Sequence, residues 1–356
     1  MPFECVAQHH LCYFRQLSFI KNKNMNSPTT TVQIPGLAID ITLNVSVPQQ
    51  PYTTGISAGY DITRSGWLHP TLDKRDYTID HPEIISITRK LNLPDYTQLP
   101  ERVDLSGWCS PVGDQHTLLS CTAFAGTGIV EYFENRAFSK FIKASPLFLY
   151  KCTRNLMQVT GDSGAYLRDV MKALALFGVP GEQYCPYITA NYDNEPTAFL
   201  YAMAANYRVL KYFCHDPLFE NKPGADVLNS VKQFIAAGIP SMFGLSLPLL
   251  NVSSNVTGGL PFSATNDSGG NHALVAVGYD DTIEISSKSD GVINTQGALL
   301  IRNCKGINTW GDKGYGWLPY EYVNSKRALD FWSMLSMDWV DTGKFGLGES
   351  NAPANI

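Results

Sequence analysis

The spacing of hydrophobic residues changes once along this 356-residue chain, and that change limits the folds it can adopt. Up to about residue 237, apolar residues recur at helical spacing. Beyond that point, short apolar runs alternate with glycine-rich segments, which is typical of strands and loops. Because helical and strand patterns occupy different parts of the chain, they are expected to form separate layers. The segregation predicts an α+β protein with two lobes.

Four segments of the first part have helical patterns. Residues 121–138 form one long candidate, and a second begins at Ser145, an N-cap residue followed by proline. A third is predicted over 163–177 and a fourth over 226–237, each followed by a glycine. In the second part, strands are predicted at 240–247, 272–279, 297–303, 315–320 and 332–340.

Composition excludes several functions. Lys and Arg total 27 against 32 Asp and Glu, so the formal net charge is −5 and we expect no nucleic-acid partner. No apolar run reaches about 18 residues, so no membrane-spanning helix is expected. None of the eight cysteines has Cys-X-X-Cys spacing, so we expect neither a structural zinc site nor any other cofactor. Whether one or two disulfides form stays open.

The N-terminal 98 residues differ from the rest. Residues 1–60 are rich in Pro, Thr, Ser, Asn and Gln, and are interpreted as loosely ordered with short strands at 31–34 and 41–47. Residues 61–98 are interpreted as an extended arm anchored by aromatic side chains, and the compact part is expected to begin near Leu99.

The N-terminus has no clear signal peptide, because polar and basic residues interrupt the apolar stretch at 11–20. Met25 is an alternative start, which would place residues 1–24 outside the protein. Four Asn-X-Ser/Thr sequons occur, but they are weak evidence for secretion without a signal peptide. The compartment is left open between the cytoplasm and non-classical export.

Cys121 opens the longest helix candidate. The positive end of a helix dipole stabilises a thiolate, and the thiolate is the nucleophilic form of cysteine. Such a residue needs a partner base to act in catalysis. Since most cysteines are buried small hydrophobic residues, position alone does not decide the role of Cys121.

Three further residues suit this chemistry. His272 follows a glycine turn and opens an apolar strand, so its ring is expected at a strand end. Asn303 closes another strand, where its side chain can accept a hydrogen bond from the imidazole and fix its tautomer. The Gln115 side chain can donate to a developing oxyanion. For each residue alone, a structural role is the more common one.

Together these residues resemble the papain-like cysteine peptidases, the C1 family, over about residues 99–345, and look closest to a bacterial-type branch of it. The order Gln, Cys, His, Asn is the family's order. The stretches that carry the resemblance are 99–104, 111–115, 120–123, 161–165, 272–273 with 277–279, 302–303 and 310–316.

The resemblance implies a two-lobed papain-like fold with the active site in the cleft between a helical lobe and a β-rich, barrel-like lobe. It implies a cysteine endopeptidase in which the Cys121 thiolate, paired with His272, attacks the peptide carbonyl and forms an acyl-enzyme. Asn303 would orient His272, and Gln115 with the Cys121 amide would hold the oxyanion.

The same matching implies substrate-binding residues and a domain order. Gly164, Ala165 and Tyr166 would line the cleft, with Ala273 near the pocket for the second residue before the cleaved bond. The expected organisation is an N-terminal extension at 1–98, a catalytic domain at 99–345 and a C-terminal tail at 346–356.

Part of the N-terminal extension, residues 66–77, resembles a short leader of the bacterial-type branch. It is expected to pack on the lobes and to cross the cleft as an intramolecular inhibitor, or to serve only as an anchoring arm. The expected partner is a peptide or protein substrate, and the expected oligomeric state is a monomer.

The chain departs from the family pattern in the residues flanking the site. Lys305 replaces a tryptophan that shields the Asn–His hydrogen bond, and it adds a positive charge that disfavours imidazolium. His116 and Leu119 stand where glycine is common, so a strained turn or a narrowed first subsite is expected. Leu118 replaces a cysteine that forms a disulfide in many relatives.

Two alternatives to hydrolysis stay open. The first is a catalytically silent papain-like binding protein, which Lys305, His116 and Leu119 favour. The second is an acyl transferase or peptide ligase, because an acyl-enzyme can pass its acyl group to an amine as well as to water.

Overall fold

The computed structural model describes residues 66–337 except 92, 249–253, 264–267 and 289–290, together with three short strands at 29–32, 41–44 and 340–341. The chain divides into two units, 1–59 and 60–356. In the first unit, β1 (Thr29–Val32) and β2 (Ile41–Asn44) pair antiparallel, with Thr29 opposite Asn44. Both strands overlap the segments expected from the sequence. The expected tail at 346–356 lies outside the described residues.

The helices of the second unit cluster before residue 237, as the hydrophobic spacing predicted. They are α1 (Pro82–Leu91), α2 (Cys121–Phe138), α3 (Pro146–Leu156), α4 (Leu167–Leu176), α5 (Ala198–Ala204) and α6 (Gly224–Ala236), with a short α7 (Tyr320–Asn324) near the end. None of the described helices is long and apolar enough to cross a membrane.

Helix α2 is the central helix of this unit. Thirteen of its 18 residues are buried, because α3 and α4 contact it on one side and the sheet on another. It ends at Ser139, whose backbone is left-handed with φ 55° and whose amide donates to the Asn135 carbonyl. Because this helix is packed on both sides, Cys121 at its N-terminus is held at a fixed position.

An eight-stranded antiparallel sheet forms the other layer. Its strands are β3 (Arg102–Asp104), β4 (Val209–Cys214), β5 (Ser241–Pro248), β7 (Ser268–Ile285), β9 (Thr295–Arg302), β10 (Tyr315–Pro319), β11 (Ala328–Met337) and β12 (Val340–Asp341). The order is β10-β9-β7-β5-β11-β12, with β3 beside β7 and β4 beside β11. Two small strands, β6 (Phe262–Ser263) and β8 (Val292–Ile293), pair separately.

This architecture confirms the α+β class. Over the residues the structure describes, the strand order does not close on itself, so the lobe expected to be barrel-like contains an open sheet.

Several element bounds differ from the sequence prediction. Helix α4 begins at Leu167 rather than 163, because Gly164 is left-handed (φ 74°) and Ala165 is extended against another segment. Strand β7 begins at Ser268, so His272 lies inside the strand and not at its end. The structure also adds α1, α5, β3 and β4, which the sequence analysis did not predict.

Polar contacts join the two layers next to the site. The buried Arg302 guanidinium, at the end of β9, donates to the Pro111 carbonyl at 3.2 Å and to the Ser110 hydroxyl at 3.0 Å. The Gln115 amide donates to the Cys304 carbonyl at 3.0 Å. These contacts hold the loop before Cys121 against the loop after β9.

Candidate active site

Cys121 is the first residue of α2 and is fully buried. The preceding residue, Ser120, gives the helix no side-chain cap, and its carbonyl accepts the amides of Ala123 at 3.0 Å and Phe124 at 3.1 Å. The amide of Ala273, on β7, donates to the Cys121 sulfur at 3.4 Å. Strand β7 therefore places His272, the neighbour of Ala273, beside the N-terminus of α2.

His272 and Asn303 form a hydrogen-bonded pair. The Nε2 atom of His272 lies 2.8 Å from Oδ1 of Asn303. The same oxygen accepts the Cys304 amide at 2.8 Å, which identifies it as the carbonyl end of the side chain. Since Oδ1 can only accept, Nε2 carries the proton, and Nδ1 is left as the basic nitrogen.

Gln115 is held by two contacts. Its Nε2 donates to the Leu118 carbonyl at 2.7 Å, and its Oε1 accepts from the Cys304 thiol at 2.7 Å. One Nε2 hydrogen remains for another acceptor. The Cys304 sulfur also lies 3.7 Å from Nε2 of His272, so this thiol contacts both side chains. The sequence analysis did not single out Cys304 as a site residue.

Burial keeps the cysteine and histidine neutral in this form of the protein. Desolvation raises the pKa of the Cys121 thiol to about 11, against the opposing effects of the Ala273 amide and the Lys305 charge. Desolvation lowers the pKa of His272 to about 4; the Asn303 hydrogen bond opposes this and Lys305 adds to it. At neutral pH the pair is therefore a thiol beside a neutral imidazole.

The stretch 161–166, which the resemblance assigns to one edge of the cleft, packs against the loop before Cys121. The Asp162 carboxylate accepts the Leu119 amide at 2.8 Å and the Tyr150 hydroxyl at 2.7 Å, which ties this edge to the loop before Cys121. Gly164 and Ala165 are buried there, and Tyr166 is partly exposed at the N-cap of α4.

An N-terminal segment lies against this edge. The Ala165 amide donates to the Gly66 carbonyl at 3.0 Å, and the Leu68 amide donates to the Ala165 carbonyl at 3.0 Å. The Gly66 amide donates to the Asn271 carbonyl at 3.2 Å. Residues 66–68 therefore hydrogen-bond to backbone groups on both sides of Cys121. We call residues 66–77 the leader.

The leader has two further anchors, whose partners Asp330 and Arg168 the sequence analysis did not identify. The Trp67 indole is fully buried and donates to Asp330 at 2.9 Å. Arg168, on α4, donates through Nε to the leader carboxylate Asp76 at 2.7 Å. Neither partner was singled out from the sequence, because both contacts join residues far apart in the chain.

The unusual residues near the cysteine have different local conformations. The backbone of His116 is left-handed with φ 50°, a conformation that favours glycine. The strained turn expected at this position is therefore present. Its amide donates to the Asp114 carboxylate at 2.8 Å, which supports that turn. Leu119 is not left-handed, so the strain expected at its position is absent.

The described cysteines are all free thiols: Cys109, Cys121, Cys152, Cys185, Cys214 and Cys304. Within the part of the chain that the structure describes, no group of His, Cys, Asp and Glu could hold a metal ion.

Comparison with known proteins identifies the class. The profile of the papain family cysteine proteases matches residues 99–327, more than half of the chain. The chain belongs to this family, and it is a cysteine peptidase that acts on peptides or proteins.

Particular relatives agree in sequence and in fold. The chain is 27% identical over 285 residues to an uncharacterized peptidase C1-like protein of Acanthamoeba polyphaga mimivirus, covering 75% of this chain and 85% of that one. Among solved structures it is similar to xylellain, a cysteine protease from Xylella fastidiosa, with 26% identity, a TM-score of 0.58, and coverage of 79% and 98%. Its fold also matches digestive procathepsin L2 from Tenebrio molitor larval midgut, with 20% identity, a TM-score of 0.54, and coverage of 77% and 78%.

Proposed function

We propose that the protein is a cysteine endopeptidase in which Cys121 is the nucleophile and the leader closes the cleft. The observation that carries this proposal is the arrangement around β7. Ala273 donates to the Cys121 sulfur, and the neighbouring His272 is fixed by Asn303 with its Nδ1 atom left basic. A thiol at a helix N-terminus beside an oriented imidazole is the arrangement that nucleophilic catalysis requires.

The proposed reaction starts when Nδ1 of His272 takes the thiol proton. The Cys121 sulfur then bonds to the peptide carbonyl carbon, whose oxygen becomes an oxyanion. The Cys121 amide and the free Nε2 hydrogen of Gln115 stabilise that oxyanion. As the C–N bond breaks, His272 returns the proton to the leaving amine, and water then releases the acyl group with His272 as base.

The substrate would extend along the edge that the leader occupies. Gly164, Ala165 and Tyr166 would line one side of the peptide and Ala273 the other. Because the Ala165 backbone groups already bond the leader, a substrate must displace it. We therefore propose that residues 1–98 are an inhibitory extension of a catalytic domain at 99–345 with a tail at 346–356, working as a monomer.

Covalent labelling tests this proposal. The full chain, its Trp67→Ala variant and its Cys121→Ala variant are incubated with an epoxysuccinyl peptide and analysed by intact mass and peptide mapping. One added inhibitor mass on Cys121 is expected, formed faster in Trp67→Ala and absent in Cys121→Ala. A Cys152→Ala variant is the matched control, because this thiol is also buried but lies in α3, away from His272.

Other results would support the alternatives. The absence of labelling in folded wild-type and Trp67→Ala chains would favour a silent binding protein. Labelling without peptide hydrolysis, but with peptide-bond formation when an amine is added, would favour a ligase or transferase.

A further inference from the structure

One tyrosine hydroxyl bridges the two ends of the loop that leads to Cys121. Tyr187 is partly buried in the segment between α4 and α5. Its hydroxyl donates to the Gln115 carbonyl at 2.8 Å and lies 2.7 Å from the Ser120 hydroxyl. The Gln115 side chain and the Cys121 amide are the two candidate donors to the oxyanion. Since Ser120 precedes Cys121, the bridge reaches the backbone that carries both donors.

The direction of both hydrogen bonds follows from the groups involved. Tyrosine has a single hydroxyl hydrogen, and the Gln115 carbonyl can only accept, so this hydrogen points to Gln115. The Ser120 hydroxyl therefore donates to the Tyr187 oxygen. Burial raises the pKa of the Tyr187 hydroxyl; the Ser120 bond opposes this, and the charges of Asp162 and Asp114 add to it. The hydroxyl therefore remains a donor at neutral pH.

The ring of Tyr187 is anchored to the helical layer. It packs edge-on against Phe124, in the first turn of α2, with the ring centroids 4.9 Å apart. Two residues before the tyrosine, the Cys185 carbonyl accepts the hydroxyl of Ser145, the N-cap of α3, at 2.7 Å. These contacts fix the hydroxyl relative to α2, which carries Cys121.

The side-chain contacts of Gln115 run to other parts of the molecule. Its Nε2 donates to Leu118 within the same loop, and its Oε1 accepts from Cys304 in the loop after β9. The Gln115 amide also bonds the Cys304 carbonyl. These bonds tie Gln115 to its own loop and to the sheet layer. The Tyr187 hydroxyl adds a link from the Gln115 backbone to the helical layer.

We infer that Tyr187 is a positioning residue that sets the distance between the Gln115 side chain and the Cys121 amide. This inference rests on the proposed peptidase function. The two donors must lie about 3 Å from an oxygen position that is reached only in the transition state, so the fold has to place them in advance. A displacement of about 1 Å can cost about a hundredfold in rate. Tyr187 therefore acts on kcat rather than on substrate binding.

Kinetics in the full-chain Trp67→Ala background provide the first test. Tyr187→Phe retains the ring and removes the hydroxyl. With a peptide anilide as substrate, kcat should fall about tenfold, whereas KM should change by less than about twofold. Tyr322→Phe is the matched control, because this buried hydroxyl also donates to a backbone carbonyl, that of Pro261 at 2.9 Å, but lies on α7. An unchanged kcat in Tyr187→Phe would overturn the inference.

A double-mutant cycle tests whether Tyr187 acts through Gln115. Gln115→Ala removes one oxyanion donor and should lower kcat by about a hundredfold. Adding Tyr187→Phe to Gln115→Ala should lower kcat by less than about a further twofold, because the side chain that the hydroxyl positions is already missing. Losses that multiply in full would show that Tyr187 does not act through Gln115.

Thiol reactivity separates positioning from a general loss of structure. Dithiodipyridine reacts with thiolates and has no carbonyl group for the oxyanion donors. Its rate at Cys121, followed by peptide mapping between about pH 5 and pH 9, should change by less than about twofold on adding Tyr187→Phe. The titratable and charged groups around Cys121 are His272, Lys305 and Cys304, and this variant retains all three. A fall in thiol reactivity parallel to the fall in kcat would overturn the inference.

A second variant covers the case in which Tyr187→Phe does not fold. Ser120→Ala breaks the bridge at its other end and leaves the tyrosine in place. In the Trp67→Ala background, kcat should fall several-fold with KM unchanged, because the residue before Cys121 loses its bond to Tyr187. An unchanged kcat would count against a role of the bridge in catalysis.

The outcomes separate this inference from the proposed function. Peptide hydrolysis that neither Tyr187→Phe nor Ser120→Ala slows would overturn the role of Tyr187 and leave the peptidase function intact. A folded Trp67→Ala chain whose Cys121 reacts with dithiodipyridine but which hydrolyses no peptide would overturn the proposed function, and with it the role of Tyr187.

Discussion

Gly66 contacts the Cys121 sulfur without any side chain between them, and a β-carbon at this position would stand 2.5 Å from Sγ and 3.0 Å from the Leu119 carbonyl oxygen. The close approach explains why a glycine occupies the cleft at this point. It also explains the high pKa of the thiol, because the leader removes the sulfur from water.

Gly66→Ala should therefore loosen the leader. The added methyl group cannot fit unless the leader or the cysteine moves, so Cys121 should react with an epoxysuccinyl peptide several-fold faster than in wild type. Gly181→Ala is the matched control, since a β-carbon there would meet its nearest neighbour at 3.7 Å. Equal labelling rates for Gly66→Ala and wild type would contradict the proposed closure.

The Asp76–Arg168 ion pair should hold the distal part of the leader. Both side chains are largely buried, with 7% and 10% of their surfaces exposed, so removing one partner leaves a buried charge unpaired. Asp76→Asn should accelerate Cys121 labelling by about tenfold or more. Asp73→Asn is the control, because Asp73 pairs with Arg75, which is 86% exposed, and should change the rate little. A larger effect for Asp73→Asn than for Asp76→Asn would refute this assignment.

The pH dependence of Cys121 alkylation should show whether the leader closes the cleft. With a pKa of about 11, the Cys121 thiol is almost entirely protonated at pH 7, so alkylation by iodoacetamide in the full chain should be slow and rise toward pH 11. Opening the cleft in the Trp67→Ala variant hydrates the sulfur and lowers the pKa of the thiol. The alkylation rate of this variant should therefore begin to rise at a lower pH than that of wild type. Rates are measured by mass spectrometry of the Cys121 peptide. Superimposable profiles for the two chains would argue against a leader effect.

Two buried carboxyl groups should stabilise the fold on mild acidification. Burial raises the pKa of Asp330 to about 6, and burial with the nearby Asp330 charge raises the pKa of Asp216 to about 7. A carboxyl whose pKa is raised binds its proton more tightly in the folded chain, so its contribution is present below the unfolded pKa of about 3.9 and is lost as pH rises through 6 to 7. These two carboxyls therefore favour the fold at pH 5 over pH 8, whereas burial lowers the pKa of His215 to about 3 and of His272 to about 4, so the two histidines oppose that gain below about pH 6.5.

Asp216→Asn tests the source of that trend. Asparagine still accepts one backbone amide but does not titrate, so the melting temperature at pH 5 relative to that at pH 8 should be lower in Asp216→Asn than in wild type. Asp169→Asn provides a comparison, since Asp169 pairs locally with Lys172 in α4. An unchanged pH dependence in Asp216→Asn would place its origin in other groups.

The sequence predicted the class of fold because helical and strand periodicities are local properties of the chain. It predicted the start of α2 at Cys121 for the same reason. It did not predict the start of α4, because the apolar spacing begins only at Leu167 and does not show that Gly164 is left-handed or that Ala165 pairs with the leader. Tertiary contacts outweighed local propensity there.

The residues of the candidate site were likewise predicted only in part from the sequence. Cys121, His272, Asn303 and Gln115 were selected by motif and order. Asp330, Arg168 and Cys304 were not, because their relevance depends on contacts made across more than 90 residues. Those contacts arise only when the leader and the two layers come together, and no local pattern encodes them.

Hydrolysis in ¹⁸O-labelled water tests the central claim most directly. An unfolded protein substrate is incubated with full-chain Trp67→Ala, and its fragments are analysed by mass spectrometry. The account predicts new fragments whose C-terminal carboxyl carries one ¹⁸O atom, and it predicts none when Cys121→Ala is added to the same chain. Intact substrate with the folded Trp67→Ala chain, or cleavage that persists without the Cys121 thiol, would contradict it.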